Sequence, residues 1–189
     1  MADNKSAKPA GKSENATSPA PRRTGPVVSA AHLATGALPA MSELEFALTM
    51  TNNAFQRWIV RCMAATGIEG LGALDVLVLH SVNHRGRAKT IADICLILNI
   101  EDTHTVIYAV RKLEAAGLVE SGKRGKEKTV AITPAGEETC SAYRELREDL
   151  LIGNIAGFSF SEEDISRLAA LLRAVSGHYD QAARAAASL

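Results

Sequence analysis

The chain of 189 residues is long enough for one compact domain with a tail, or for one domain that completes its core by dimerising. Apolar residues make up 47% of it and aromatic residues only 4%, a composition typical of helix bundles. No apolar run is long enough for a membrane span, the N-terminus lacks a signal-peptide core, and the three cysteines have no paired spacing. We therefore expect a cytoplasmic protein with no membrane association and reduced thiols.

The net charge of zero hides a segregation of charge along the chain. Residues 1–41 carry +3, residues 42–84 carry −2, residues 85–133 carry +3 and residues 134–189 carry −4. Attraction to phosphates depends on the local field rather than on the total charge. The positive segment 85–133 is therefore the part of the folded region best suited to nucleic acid.

Residues 1–28 are predicted to be a disordered basic tail, since Ala, Ser, Pro, Lys and Asn supply few groups for a core. The simplest interpretation is a solvated leader. The alternative is that four of its five basic residues add non-specific DNA affinity; these four are Lys8, Lys12, Arg22 and Arg23.

Two helices are predicted next. Ser42 and Glu45 have the spacing of a capping box, so the first helix is expected to begin at Ser42 and to continue to about Gly67. The second is expected from about Leu71 to Asn83. Its inward positions are Leu74, Leu77, Val78 and Val82.

The segment from Ala88 to Gly136 predicts a helix-turn-helix followed by a basic hairpin. A short apolar helix covers about Ala88 to Leu98, and a second helix begins near Asp102 or Thr103, either of which can cap it. Gly117 ends this second helix in a left-handed conformation, with Leu118 placed to pack on Leu113 in a Schellman arrangement. The inner face comprises Val106, Ala109, Val110 and Leu113.

Strands are predicted over Leu118–Ser121 and Lys128–Ile132, joined by Gly122 to Glu127, and together they form a charged wing. Thr133 and Pro134 then start a helix to about Ala156. A last helix starts through a Ser161–Asp164 capping pair, with Phe160 and Ile165 as a hydrophobic staple, and extends to about Ala185.

The motifs Leu113-Glu114-Ala115-Ala116-Gly117-Leu118-Val119 and Thr133-Pro134-Ala135-Gly136, in this order of elements, resemble the MarR family of bacterial winged-helix repressors over about residues 42–187. The fold expected from this resemblance is mainly α with a small β-wing. We expect a tail over 1–28, an N-terminal arm and dimerisation helix over 29–70, a winged helix-turn-helix domain over 71–136 and C-terminal dimerisation helices over 137–189.

The resemblance implies a homodimer held by the first and last helices of each chain, with its two recognition helices in successive major grooves of a pseudo-palindromic operator. The family wing usually carries an Asp-x-Arg element whose Arg enters the minor groove. This shorter wing lacks that element, and Arg124 is its best substitute.

Candidate DNA contacts fall in three groups. The outer face of the recognition helix offers base-edge and phosphate contacts, the wing offers cations, and the segment before the helix-turn-helix offers phosphate contacts. The candidates are Thr103, His104, Thr105, Tyr108, Arg111 and Lys112 on the helix; Lys123, Arg124, Lys126 and Lys128 on the wing; and Arg85, Arg87 and Lys89 before the helix-turn-helix. Arg111 is equally placed to pair with Glu114 or with a neighbouring helix.

The family also suggests a small aromatic or amphipathic effector that shifts the dimer between DNA-competent and DNA-incompetent states. Apolar residues that could line its cleft, or belong to the core, are Phe46, Met50, Phe55, Trp58 and Met63.

His80 and His84 have an i, i+4 spacing but no further ligands nearby, so no metal or other cofactor is expected. The three cysteines are expected to pack in the core, with Cys62 the best placed of them to act as a redox sensor.

The function that fits these observations best is a sequence-specific regulator acting on double-stranded DNA, expected to be a repressor released by an effector. The alternative is an architectural or adaptor winged-helix protein with weak DNA specificity that works through protein partners. An enzyme is the weakest reading, because the sequence has no Gly-rich phosphate loop, nucleophile elbow or paired-carboxylate constellation.

Overall fold

The computed structural model describes residue 25, residues 27–155 and residues 161–189. Short 3-10 turns occur at Ala31–Ala34 and His84–Gly86, and a π-helical turn at Glu148–Ile152. The α-helices are α1 Pro39–Ala65, α2 Ala73–Asn83, α3 Ile91–Leu98, α4 Thr103–Ala115, α5 Pro134–Arg147, α6 Gly153–Ile155 and α7 Glu162–Ala186. The strands are β1 Lys89–Thr90, β2 Val119–Arg124 and β3 Glu127–Ile132. The mainly helical fold with a small wing is thus confirmed.

The three strands form one antiparallel sheet of order β1–β3–β2. The hairpin strands are longer than predicted and are joined by only two residues, with Arg124 opposite Glu127. Gly125 has a φ of +66° at the first turn position, where a tight hairpin favours glycine. Residues 89–90 were expected in the first helix of the helix-turn-helix, but they pair with β3 instead.

The chain divides into two compact units, Met1–Thr51 and Asn52–Leu189, and α1 crosses the boundary between them. In the first unit, α1 begins at Pro39 rather than at Ser42. The hydroxyl of Ser42 lies inside the helix and donates to the carbonyl of Leu33. The predicted capping box at Ser42 is therefore wrong, because a proline at the first helical turn already starts the helix.

The second unit contains the main core, in which the apolar faces of α2, α3 and α4 meet β2, β3 and α5. Fully buried side chains at its centre are Val76, Leu79, Ile94, Val106, Leu113 and Val130. Leu74 and Leu77, predicted to point inward on α2, are partly buried and pack against this core, whereas Val78 and Val82 are fully buried. The core thus lies directly beneath the helix-turn-helix.

The last helix begins as predicted. Ser161 accepts from the backbone N–H of Asp164, and the Asp164 carboxylate accepts from the N–H of Ser161. The carboxylate also accepts from the hydroxyl of Ser161 at 2.6 Å, and this bond, followed by the one from the backbone N–H of Ser161, lowers the pKa of Asp164. Phe160, the expected staple partner of Ile165, and most of the 1–28 tail lie outside the described residues. Among the residues that are described, no helix combines the length and hydropathy needed to cross a membrane.

Candidate nucleic-acid interface

The proposed recognition helix α4 is fixed by strong local signals at both ends. Asp102 caps its start by accepting from the N–H of His104 at 2.9 Å. At its end Gly117 has a φ of +73°, and the N–H groups of Gly117 and Leu118 donate to Glu114 and Leu113 at 2.9 and 3.0 Å. This is the predicted Schellman arrangement.

The Thr-x-x-Gly motif after the wing fastens α5 to the end of α4. The hydroxyl of Thr133 donates to the carbonyl of Gly117 at 2.7 Å and accepts from the N–H of Gly136 at 3.1 Å. A Cβ at Gly136 would lie 2.1 Å from the carbonyl oxygen of Leu118 and 2.6 Å from Cδ1 of Ile132. Only glycine fits at this contact, which gives the motif a structural cause.

The outer face of α4 is exposed among the residues that the structure describes. Its inner residues are buried, whereas the predicted contact residues Thr103, His104, Thr105, Tyr108 and Arg111 are exposed. The ring of Tyr108 is 65% exposed, unusual for an aromatic side chain beside a well-packed core. A row of hydrogen-bonding groups is therefore presented to solvent by a rigid helix.

The wing adds positive charge beside this face. Lys123, Arg124, Lys126 and Lys128 are all exposed. Arg124 lies 3.5 Å from Glu127, and since both side chains are about two-thirds exposed, this ion pair holds Arg124 only weakly. A cavity of about 250 Å³ separates α4 from the wing and is lined by Ile107, Arg111, Glu114 and Lys128 among others.

Lys112 does not share this outer face. Its ammonium lies 2.5 Å from the carboxylate of Asp75 and donates to the carbonyl of Gly70 at 3.0 Å. Asp75 also accepts from the N–H of Gly72 at 2.7 Å and so caps α2. Lys112 was predicted to contact phosphate or guanine, and the structure corrects this prediction. Its side chain instead links α4 to α2. Asp75 was not predicted from the sequence, although the third position of a helix is typical of capping carboxylates.

Lys89 was predicted to hold phosphate, and this too is corrected. The side chain is only 2% exposed, and its ammonium donates to the backbone carbonyls of Val82, His84 and Arg87. All three donors of the ammonium are thereby used inside the protein. Arg85 and Arg87, in the same segment, are exposed.

The residues predicted to line an effector cleft are divided between the two units. Phe46, half-buried, and Met50, 57% exposed, belong to the first unit. Met63 is fully buried in the core and Trp58 packs against it, so the cleft role predicted for Met63 is wrong. Phe55 is 47% exposed and lines a groove of about 280 Å³ with Leu74, Leu77, Leu98 and Ile100.

The cysteines and histidines form part of the supporting core. All three cysteines are buried, as expected; burial raises the pKa of Cys62 and raises that of Cys140 to about 11, which disfavours the reactive thiolate. The ring of His80 packs edge-on against Tyr143 at 4.5 Å, and burial lowers its pKa. His84 lies beyond the end of α2 and is exposed.

Comparison with known proteins identifies the domain and the fold. Residues 71–136 match the family described as winged helix DNA-binding domain. Similar solved structures include a MarR/EmrR family transcriptional regulator from Acinetobacter sp. ADP1, with 17% identity, a TM-score of 0.59 and coverage of 77% of this chain and 99% of that one. No curated protein matches the sequence.

Two further structures are similar at comparable levels. The S. aureus MepR–DNA complex has 16% identity and a TM-score of 0.57, covering 71% of this chain and 95% of that one. CouR from Rhodococcus jostii RHA1, bound to p-coumaroyl-CoA, has 14% identity and a TM-score of 0.56, covering 75% and 95%.

Residues 71–136 therefore form a winged helix DNA-binding domain, and the chain has the fold of MarR family transcriptional regulators. The resemblance indicated by the sequence motifs is confirmed at this level.

Proposed function

We propose that this protein is a sequence-specific transcriptional regulator that binds a pseudo-palindromic operator as a homodimer. The observation that carries the proposal is the exposed polar face of α4, held rigidly beside a basic wing within a winged helix domain. A rigid helix with exposed hydrogen-bonding groups suits the major groove, and wing cations suit the neighbouring backbone or groove.

Each group on this surface has a distinct expected role. Thr103, His104 and Thr105, in the first turn of α4, are placed to reach base edges, since the N-terminal residues of a recognition helix usually do so. Tyr108 and Arg111 extend the contact to thymine methyl groups, guanine or phosphate. The wing lysines and Arg124 supply mainly salt-sensitive, sequence-independent affinity.

Dimerisation is supported by α7, which exposes an apolar stripe. Ile165, Leu168 and Leu171 are 50–58% exposed, and Leu172 and Val175 on the same side are only partly covered. These five positions fall on one face at helical spacing. A stripe of this length in a soluble protein is explained by a partner surface, and a second copy is the partner expected of a symmetric regulator.

Control by a small molecule is part of the same proposal, in which the protein acts as a repressor and an effector releases it from DNA. The groove beside Phe55 joins α2 to the end of α3, so an apolar or aromatic ligand there would displace the helix-turn-helix. CouR, of similar fold, was crystallised with p-coumaroyl-CoA. A ligand that binds the DNA-incompetent form more tightly would shift the population and release the operator.

Two sets of variants test the proposal on operator and scrambled DNA. His104→Ala and Tyr108→Ala are expected to weaken operator binding about tenfold each while leaving scrambled-DNA binding nearly unchanged. Lys126→Gln should weaken both equally and reduce the salt dependence. Equal losses on both DNAs for the α4 variants would contradict base reading and favour an architectural role.

A further inference from the structure

The segment between α2 and β1, residues 84–88, is called the basic bend here. Arg85 has a φ of +64° and Gly86 one of +57°, so two consecutive residues adopt the left-handed conformation. A residue with a side chain adopts this conformation at a cost in free energy, and keeps it only where the surroundings enforce it. Arg85 therefore needs a restraint.

Lys89 supplies that restraint. Its ammonium donates to the carbonyls of His84 at 2.6 Å and Arg87 at 3.3 Å, on either side of the two left-handed residues. A third bond, to Val82 at 3.1 Å, fixes the bend to the last turn of α2. Unpaired carbonyls at a helix end attract cations, so this buried position suits an ammonium.

The bend presents two guanidinium groups to solvent. Arg85 and Arg87 are both exposed, whereas the lysine that holds them is buried. Hydrogen bonds with Thr90 are the main cause of the lowered pKa of Asp93, and the charges of Arg124 and Arg87 lower this pKa further. Arg87 and the wing Arg124 therefore lie within electrostatic reach of the same carboxylate, at the start of α3.

We propose that Lys89 is a positioning residue for a phosphate-binding bend, which holds Arg85 and Arg87 against the DNA backbone beside the helix-turn-helix. The inference rests on the proposed DNA-binding function. It divides the roles within Arg-Gly-Arg-Ala-Lys: the arginines touch phosphate, the glycine permits the bend, and the lysine never meets DNA.

The test measures how operator affinity varies with salt, using the full chain. Each phosphate contact contributes about 0.9 to the slope of log affinity against log salt concentration. Arg85→Gln/Arg87→Gln is expected to reduce the slope by about 1.8 per bound protomer. Lys89→Met, with a side chain of similar length and no charge, should cause most of the same reduction although Lys89 is buried.

Combining the variants distinguishes a positioning role of Lys89 from a general loss of stability. In the Arg85→Gln/Arg87→Gln background, Lys89→Met should change neither affinity nor slope further. A loss through a generally disturbed fold would instead add to the first loss. Arg144→Gln, an exposed arginine on α5, is the matched control and should retain the wild-type slope.

Gly86→Val covers the case in which Lys89→Met does not fold. No atom lies within 4 Å of a Cβ at Gly86, so valine there meets no neighbour and acts through the backbone conformation of the bend, without removing the ammonium of Lys89. It should reduce the slope as Lys89→Met does. Two results would overturn the inference. In the first, Arg85→Gln/Arg87→Gln keeps the wild-type salt slope. In the second, this double variant reduces the slope, but Lys89→Met and Gly86→Val both leave it unchanged. Wild-type protein that binds no DNA at low salt would instead overturn the proposed function, and this inference with it.

Discussion

Helices α4 and α7 each have one face that the described part of the chain leaves uncovered, and the two faces differ in chemistry. On α4 the apolar side is completely buried and the exposed side carries Thr, His, Tyr and Arg. On α7 no residue is buried, and the exposed side includes Ile165, Leu168 and Leu171. The first face suits bases and phosphates, whereas the second suits a hydrocarbon surface.

This contrast indicates how stability and function are divided. The α4 region is held by a helix cap, a Schellman ending, an ion pair to α2 and a close glycine contact. Its position is therefore determined within one chain, as a reading surface requires. Helix α7 has strong local capping but little burial, so we expect its packing to be completed by the second copy of the proposed dimer.

The largest effect is expected for Gly136→Ala. The new Cβ would meet the backbone carbonyl of Leu118 at 2.1 Å, and a backbone group cannot move aside cheaply. We expect a loss of about 3 kcal/mol or more in the free energy of unfolding, measured by urea denaturation. Gly177→Ala on α7 is the matched control, with no atom within 4 Å, and should stabilise by up to about 1 kcal/mol. Similar losses of unfolding free energy for Gly136→Ala and Gly177→Ala would contradict the difference between the α4 region and α7.

Leu168→Glu/Leu171→Glu tests the α7 face. Charge on the exposed stripe should convert the dimer to monomers without unfolding the chain, because neither side chain belongs to the core. Sedimentation equilibrium with circular dichroism would measure both effects. Arg173→Glu, outside the stripe, should remain dimeric. A wild-type monomer at high concentration, or a double variant that stays dimeric, would contradict the proposed interface.

Asp75→Ala is expected to loosen α4 from α2. It removes the ion pair to Lys112 and the cap of α2 together, and should cost about 2–3 kcal/mol of unfolding free energy. Asp75→Asn should cost less, since the amide oxygen still caps. Lys112→Met should leave the salt slope of DNA binding unchanged. A slope reduced by about one would show that Lys112 contacts phosphate after all.

The smallest effect expected is a dependence on pH through His80. Burial lowers its pKa, so below the ordinary value of about 6.5 the unfolded chain binds more protons than the folded one. The stability that neutral His80 contributes is therefore fully present above its ordinary pKa and is lost as the pH falls below it. His80→Phe should reduce the difference between denaturation midpoints at pH 7.5 and 5.5, whereas His84→Gln should not. An unchanged difference in His80→Phe would assign the effect to other groups.

The parts of the fold predicted well from the sequence are those specified by local signals. The cap at Asp102, the Schellman glycine at Gly117 and the Ser161–Asp164 pair each depend on residues a few positions apart. The two-residue strand β1 was missed, because a segment this short has no periodicity to detect. The helix start at Ser42 was wrong because two plausible start signals lay three residues apart.

The two lysine errors share one cause. Lys89 and Lys112 have long, flexible side chains. The ammonium of Lys112 reaches Asp75, 37 residues away, whereas that of Lys89 turns back to carbonyls two to seven residues before it. A helical wheel gives the direction of a Cβ but not the destination of an ammonium several bonds further on. The short side chains of Thr103 and Thr105 follow their backbone, and their predicted exposure is correct.

Specific DNA binding by the intact protein is the property on which the proposed function depends most directly. Fluorescence anisotropy would compare labelled DNA from the region upstream of its own gene with scrambled DNA of equal length, at several salt concentrations. We expect a preference for the first of about a thousandfold, as is typical of specific binders. Equal and salt-sensitive affinity for both DNAs, or no binding to either at low salt, would contradict the central claim.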